Sequence, residues 1–280
     1  MAASLYSIGL SGIQASNALI TTTGQNTSNV NTAGFNRQTT VLSATLNGGV
    51  EIRDTERVVD QFLNQQVRSD TSANNYYDKY YQLASTANEI VGDQSVSINT
   101  YLDNMFSSLQ SANAEPTNLA TRDIALTDLT NMVNQFNELA GFVESQNTLA
   151  NNQLGTVISE INEIAGQIAN LNGKILVQET VGGRVANELR DQQEELARGI
   201  SEMIDVKLSY DSNGLMELQL KNGQPLVLQD DTKDLILSPN ELNPSEYELK
   251  LDFGRYEIGL NNDSLGGVRC VNGFSQRYVD

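Results

Sequence analysis

An unbroken heptad pattern from Leu119 to Ile175 constrains this chain more than any other feature. One row carries Leu119, Leu126, Val133, Ala140, Asn147, Leu154, Ile161, Ile168 and Ile175. A second carries Leu129, Phe136, Val143, Ala150, Val157, Ile164 and Leu171. Alternating steps of three and four place both rows on one face of a helix. At about 1.5 Å per residue this stretch spans roughly 85 Å, too long for a compact globule of this size. A helix of that length with one apolar seam needs a partner along most of it. The seam residues Leu126, Leu129, Val133, Phe136, Leu154, Val157, Ile161, Ile164, Ile168 and Leu171 are therefore expected to face another helix.

Composition removes several classes of function. The chain has 280 residues, 39% of them hydrophobic, enough for more than one domain. Its net charge is −18, from 35 acidic and 17 basic residues, which repels nucleic acid and anionic lipid. It contains no His, and so lacks the commonest general base and metal ligand. No spacing of Asp, Asn and Gly closing on a Glu resembles a calcium loop. Cys270 is the only cysteine, so no internal disulfide forms, and its neighbours Val268 and Val271 suggest a small buried residue. No cofactor is expected. No apolar run is long enough to cross a bilayer, and the N-terminus lacks the charged and apolar regions of a cleaved signal peptide. Composition alone points to the cytoplasm, unless export uses an uncleaved signal.

Along the chain, Leu5, Ile8, Gly12, Ala15 and Leu19 recur at helical spacing with small and polar residues between them. So narrow a stripe suits close helix contact but does not hold a lone helix in water. Gly34 is placed to end this segment with a positive φ, and Phe35 to pack after it. Residues 38–60 suggest a loose hairpin around Asn47-Gly48-Gly49. Helical periodicity resumes near Val59, breaks at Gly92-Asp93, and returns with Ile98, Leu102, Met105, Leu109 and Ala112. Pro116 forces a turn before the long helix, with Thr117 or Asn118 as its N-cap. After a break at Val181-Gly182-Gly183, a helix over about 185–205 presents Leu189, Leu196, Ile200 and Ile204. From Val206 the period becomes two, with turns at Ser212-Asn213-Gly214 and Asn222-Gly223.

The fold class is thus mainly α with a small β domain. It is an elongated multi-domain chain with a long antiparallel helical hairpin or coiled coil and an antiparallel β domain. Its expected segments are 1–35, an N-terminal helix largely disordered when alone; 36–205, an elongated helical domain; and 206–280, a β domain incomplete at its C-terminal end.

No catalytic set emerges. Gly182-Gly183 and Gly266-Gly267 lack phosphate-loop spacing. Glu194 and Glu195 point apart on a helix and are expected in solvent; Asp230 and Asp231 fall in a turn. Tyr76, Tyr77, Tyr80 and Tyr81 have the spacing of a packing seam.

The stretch Asn26-Thr27-Ser28-Asn29-Val30-Asn31-Thr32-Ala33-Gly34-Phe35 resembles the N-terminal signature of the axial proteins of the bacterial flagellum. Tyr76 to Ile90, Met105 to Gln110 running on through Pro116 to Arg122, and Lys221 to Leu228 are similar to the hook-associated proteins of the hook–filament junction. The resemblance implies a structural, non-enzymatic part of the extracellular flagellum, exported through the type III apparatus without a cleaved signal. It also implies that segment 1–35 is an inner helix, disordered until assembly. Implied partners are identical subunits in a ring, hook protein, the second junction protein and filament, and an export chaperone. Nucleic acid and membrane insertion are not implied. Leu5, Ile8, Ala15, Leu19, Asn29, Asn31, Thr32, Gly34 and Phe35 become candidate assembly residues. The family's C-terminal helix has no counterpart after Val268, so the chain reads as an N-terminal portion or a short variant. Two other readings remain: another axial protein (hook or distal rod), or a cytoplasmic coiled-coil adaptor dimerising through its seam. An enzyme has least support.

Overall fold

A computed structural model describes residues 5–46, 48–92, 98–182, 185–240, 247–254 and 257–260. The expectations for Gly183, Tyr256, Gly266-Gly267, Cys270 and the C-terminal stretch from Val268 fall outside these residues. Five helices are described: α1 (Leu5–Ser28), α2 (Gln61–Gly92), α3 (Ile98–Ala114), α4 (Leu119–Gly182) and α5 (Asn187–Met203). The strands form three antiparallel sheets. The first is the hairpin β1 (Gln38–Ala44) and β2 (Val50–Arg57). The second joins β3 (Val206–Tyr210), β4 (Met216–Leu220), β5 (Pro225–Leu228) and β6 (Asp231–Thr232) in that order. The third joins β7 (Asp234–Pro239), β8 (Tyr247–Asp252) and β9 (Glu257–Gly259). The chain is mainly α with small antiparallel sheets.

Two compact units divide the described residues. One contains the chain up to Asn75 and from Val157 onward; the other contains Tyr76–Thr156. This division ignores the segment boundaries at 35 and 205 expected from sequence. Residues of α2 and α4 fall in both units, because a continuous helix carries no local mark where its packing partners change.

In the second unit, α3 and the first half of α4 are joined by the expected turn at Pro116. Asn118 caps α4, its Oδ1 accepting from the Ala120 amide at 3.0 Å while its Nδ2 donates to Glu115 Oε2 at 2.8 Å. Here the seam departs from expectation. Leu126, Leu129, Val133 and Phe136 are exposed, as are Leu119 and Val143. The residues turned inward lie one position earlier: Ala125 and Gln135 are buried, and Met132, Leu139 and Phe142 are half-buried. The side of α3 turned to the start of α4 is small and polar. Asn104, Ser107, Ser108 and Ser111 meet Thr121, Ile124 and Asp128 across a 230 Å³ cleft. The tyrosine stripe of α2 is likewise not a buried seam. Tyr77, Tyr80 and Tyr81 are exposed, and Tyr76 meets Tyr77 edge to face at 5.1 Å.

In the first unit the second half of α4 is the core. Ile161, Ile168 and Ile175 are at most 1% exposed and Leu171 is buried, while Val157 and Ile164 are half-buried. Leu154, in the preceding turn of α4, is equally buried. Strand residues Met216, Leu218, Leu220, Leu226, Val227, Leu235, Leu249 and Leu251 supply apolar core. The β3–β4 turn forms because Asp211 Oδ1 accepts from the amides of Asn213 and Leu215, leaving Gly214 at φ 74°.

Three asparagines dock the three sheets. Each lies on a helix and offers its amide as a peptide unit would, one acceptor and one donor, to a single strand residue. Asn26 of α1 exchanges two hydrogen bonds with the main chain of Gln38, both 2.8 Å. Asn162 of α4 does so with Leu235 at 2.8 and 2.9 Å. Asn172 of α4 does so with Met216 at 2.8 and 3.0 Å. Main-chain groups left unpaired by a sheet would otherwise be buried at a cost of about 1–3 kcal/mol each.

Candidate functional site

The signature loop between α1 and β1 is built by its own polar side chains. Asn29 Nδ2 donates to the Gln25 carbonyl at 3.0 Å, finishing the helix, while Asn29 Oδ1 accepts from the Thr32 hydroxyl at 3.1 Å. The amides of Thr32 and Phe35 then turn back to the carbonyls of Asn29 and Thr32. The helix therefore ends at Ser28, earlier than a Gly34 cap requires. Gly34 has a different duty. Its φ is +78°, and a Cβ there would lie 2.8 Å from Glu195 Oε2 and 3.2 Å from Glu195 Cβ. Gly34→Ala is expected to cost about 1–2 kcal/mol, from left-handed strain plus displacement of Glu195. Chemical denaturation of the variant against wild type checks this, and an unchanged midpoint refutes it.

The loop forms one wall of a cleft of about 920 Å³, with Asn29, Thr32, Gly34 and Phe35 on that side. Glu163, Gln167, Leu171 and Lys174 of α4 and Glu188, Asp191, Glu195 and Leu196 of α5 line the rest. Asn31 is exposed and outside this wall. Of the α1 candidates, Ala15 is buried at 4%, whereas Leu5, Ile8 and Leu19 are exposed. Ala15 and Thr22 are the buried residues of α1, and the Thr22 hydroxyl meets that of Thr40 at 2.6 Å.

Helix α5 organises the site through polar residues that accompany the expected apolar face. Ile200 and Ile204 are buried as predicted, and Leu189 and Leu196 half-buried. Beside them Asn187, Asp191, Gln193 and Ser201 are buried too. Asp191 Oδ1 accepts from Asn36 Nδ2 at 2.8 Å and from Arg57 at 2.9 Å, and Oδ2 accepts from the Asn36 amide at 3.2 Å. It thus ties the end of the signature loop to the end of β2. Asn187 Nδ2 donates to the Thr55 carbonyl.

Glu194 corrects the expectation of a solvated pair. Its side chain is 15% exposed and bonded to Arg68 at 2.6 Å, with Asn64 at 3.2 Å; Glu195 alone faces out, pairing with Arg198. On α2, Asn64, Arg68, Ser72 and Asn75 share a face at steps of four, four and three. Arg68 and Ser72 are buried, and Asn75 donates to the Glu202 carbonyl. Tyr210 donates to Glu194 Oε2 at 3.4 Å; burial first and the Glu194 charge second push its phenol up to about 12. Glu179 forks onto Arg190 with two contacts of 2.8 Å and accepts from the Ala186 amide. Burial raises the Glu179 pKa, but the Arg190 and Ala186 hydrogen bonds outweigh it and hold the carboxyl below its ordinary value. That ion pair's stabilisation is present above the ordinary glutamate pKa and is lost as pH falls through the lowered value.

This arrangement joins elements; it does not gather a nucleophile, a base and an oxyanion donor around one point. Among the described residues no group of three or more acidic or cysteine side chains could hold a metal ion. Among them, too, no helix is long and apolar enough to cross a membrane.

Comparison with known proteins gives the fold its class. The family model described as "Flagellar hook-associated protein FlgK helical domain" matches residues 84–269. The chain belongs to that family of flagellar hook-associated proteins. It is 29% identical over 95% of its length to flagellar hook-associated protein 1 of Salmonella typhimurium, of which it covers 51%. It is 26% identical over the same share to the protein of that name from Bacillus subtilis, covering 58%. The chain thus spans about half the length of these relatives. The solved structure of the flagellar hook junction protein FlgK from Burkholderia pseudomallei shares the fold. Its TM-score is 0.69 at 24% identity, over 75% of this chain and 39% of that one.

Proposed function

We propose that this chain is a structural subunit of the bacterial flagellum, set between hook and filament and needed for filament assembly. The observation that carries this reading is the family match over 84–269 together with relatives aligned along 95% of the chain. The geometry supports it. What α5 and the signature loop assemble is a joint: their hydrogen bonds fix how the N-terminal helix and hairpin leave the body. In this reading the protein is not an enzyme. It is exported by the type III apparatus with an uncleaved signal and a chaperone, and contacts identical subunits in a ring, hook protein, the second junction protein and filament.

The exposed residues Leu5, Ile8 and Leu19, with the loop from Asn29 to Phe35, would form its assembly surface. The exposed row Leu126, Leu129, Val133 and Phe136 would meet a further helix, since a row of that spacing matches a helical partner. The test is deletion of the gene in the source bacterium. Cells are expected to keep hooks, lack filaments and shed filament subunits into the medium, with recovery on complementation. Normal filaments in the deletion strain would sink the proposal.

A further inference from the structure

The chain carries three Asn-Gly pairs in described structure, at Asn172, Asn213 and Asn222, and they sit in very different surroundings. An Asn-Gly bond is chemically weak because glycine leaves its amide nitrogen unobstructed beside the asparagine side chain. We propose that Asn222 is a site of self-modification, converting through a cyclic imide to aspartate and isoaspartate while the other two stay intact.

The chemistry balances without any cofactor. Hydroxide takes the Gly223 amide proton, and that nitrogen attacks Asn222 Cγ. A carbon–nitrogen bond forms, the Cγ–Nδ2 bond breaks, and ammonia leaves with a proton from water. Water then opens the five-membered imide at either carbonyl, giving aspartate or isoaspartate. Nothing is oxidised or reduced.

Asn222 has the access the reaction needs, and one turn bond, from the Gly223 amide to the Leu220 carbonyl at 2.8 Å, opens before the nitrogen attacks. The residue is exposed, in the turn between β4 and β5. Gly223 has φ +83° and nothing within 4 Å of where a Cβ would stand, so the ring has room to close. The Gln224 amide donates to Asn222 Oδ1 at 3.0 Å. That oxygen takes up negative charge when nitrogen adds to Cγ, so a donor already stands where charge develops. The neighbouring Lys221 adds a favourable positive charge.

Asn213 is exposed too, and its Gly214 amide makes the same kind of turn bond, to the Asp211 carbonyl at 3.0 Å, but side chains clamp this turn as well. Arg190 donates to the Gly214 carbonyl at 2.8 Å and lies 3.1 Å from the position of a Gly214 Cβ. Asp211 binds the Asn213 and Leu215 amides, and its other oxygen faces Asn213 Nδ2 at 3.5 Å. A carboxylate beside the reacting amide opposes the developing oxyanion. Asn172 is fully buried, its amide held by four hydrogen bonds, and Gly173 lies inside α4. Ring closure there would break the helix ladder. Aspartate at 222 adds a negative charge to a chain already at −18, and isoaspartate puts an extra backbone carbon into the turn that sets β4 against β5.

The experiment ages the purified full chain in mildly alkaline buffer and maps peptides by mass spectrometry, with isoaspartate labelled by a methyltransferase. The expected result is conversion at Asn222 at least about tenfold faster than at Asn213 or Asn172, a gap of roughly 1.4 kcal/mol in barrier. In denaturant the tenfold gap should largely close, leaving only the smaller effect of sequence neighbours such as Lys221. The exposed substitution N222S should abolish the first-formed product while leaving the circular dichroism spectrum unchanged. Equal rates at Asn213 and Asn222 in the folded chain overturn the proposal, as does an unmodified Asn222 after Asn213 has reacted.

Discussion

Asn172→Ala lowers the stability of the α4–sheet body by about 3–4 kcal/mol, the largest loss expected from any single polar side chain here. Asn172 has no exposed surface and uses all of its main hydrogen-bonding capacity. Nδ2 donates to the carbonyls of Met216 and Gln229, and Oδ1 accepts from the Met216 amide and Gln193 Nε2. Truncation strands these partners in a dry core. Each stranded group costs about 1–3 kcal/mol, and the sum is reduced because Gln193 keeps its bond to the Ile168 carbonyl. Gln229 also holds a positive φ of 58°, which a non-glycine residue keeps only when its surroundings impose it. Asn172→Asp should be worse than alanine, since its second oxygen would face two carbonyls as a buried charge. Urea unfolding gives the overall loss, and hydrogen exchange at the Met216 amide reads the local release. A loss under about 1 kcal/mol, or an aspartate variant as stable as wild type, contradicts this account.

The boundaries of α3 and α4 were legible because each is marked by a residue whose physics is local, whereas the end of α1 at Ser28 was not. Pro116 cannot continue α3, Asn118 caps α4, and the Gly182 break ends it. The period of two after Val206 and the Asn-Gly turns located the β-hairpins for the same reason. What was not legible is the choice between two adjacent stripes on the first half of α4. Counting large apolar residues selects Leu126, Leu129, Val133 and Phe136. The fold turns Ala125, Met132 and Gln135 inward instead. Size favoured one row and fit the other, and only the partner's surface decides.

The site was half visible. The signature loop stood out as a motif, and Gly34 as a special backbone position, but Glu195 as the reason for that glycine could not be read from a separation of over a hundred and fifty residues. Asp191, Glu194, Asn187 and Arg68 look like solvent-facing residues on any helical plot. The signal that could have found them is weak. Asn64, Arg68, Ser72 and Asn75 on α2, and Asn187, Asp191, Glu194 and Ser201 on α5, repeat at three and four like an apolar seam does. Two polar stripes with complementary charge are a packing pattern when they face each other and a solvated surface when they do not.

Asp191→Ala is expected to release the signature loop and hairpin from α5 at a cost of about 3 kcal/mol. The carboxylate is the meeting point of Asn36 at the loop's end and Arg57 at the hairpin's end, and the paired side chains are 10% and 12% exposed. Removing one partner leaves the other's charge without compensation in a poorly solvated place, which is costlier than the pair is favourable. Removing Arg57 as well should therefore recover part of the loss, and the double-mutant cycle should give a coupling of about 1–3 kcal/mol. Glu195→Ala is the control. Its partner Arg198 is 47% exposed, so little more than about 0.5 kcal/mol should change. The two outcomes separate a surface ion pair from a structural joint. If Asp191→Ala matches Glu195→Ala, the loop is held by something other than α5. If it costs as expected while α4 keeps its hydrogen-exchange protection, one carboxylate sets the posture of the N-terminal helix and hairpin. On the proposed function, filament assembly by that variant would then fail, because the proposed assembly surface would be present but wrongly aimed.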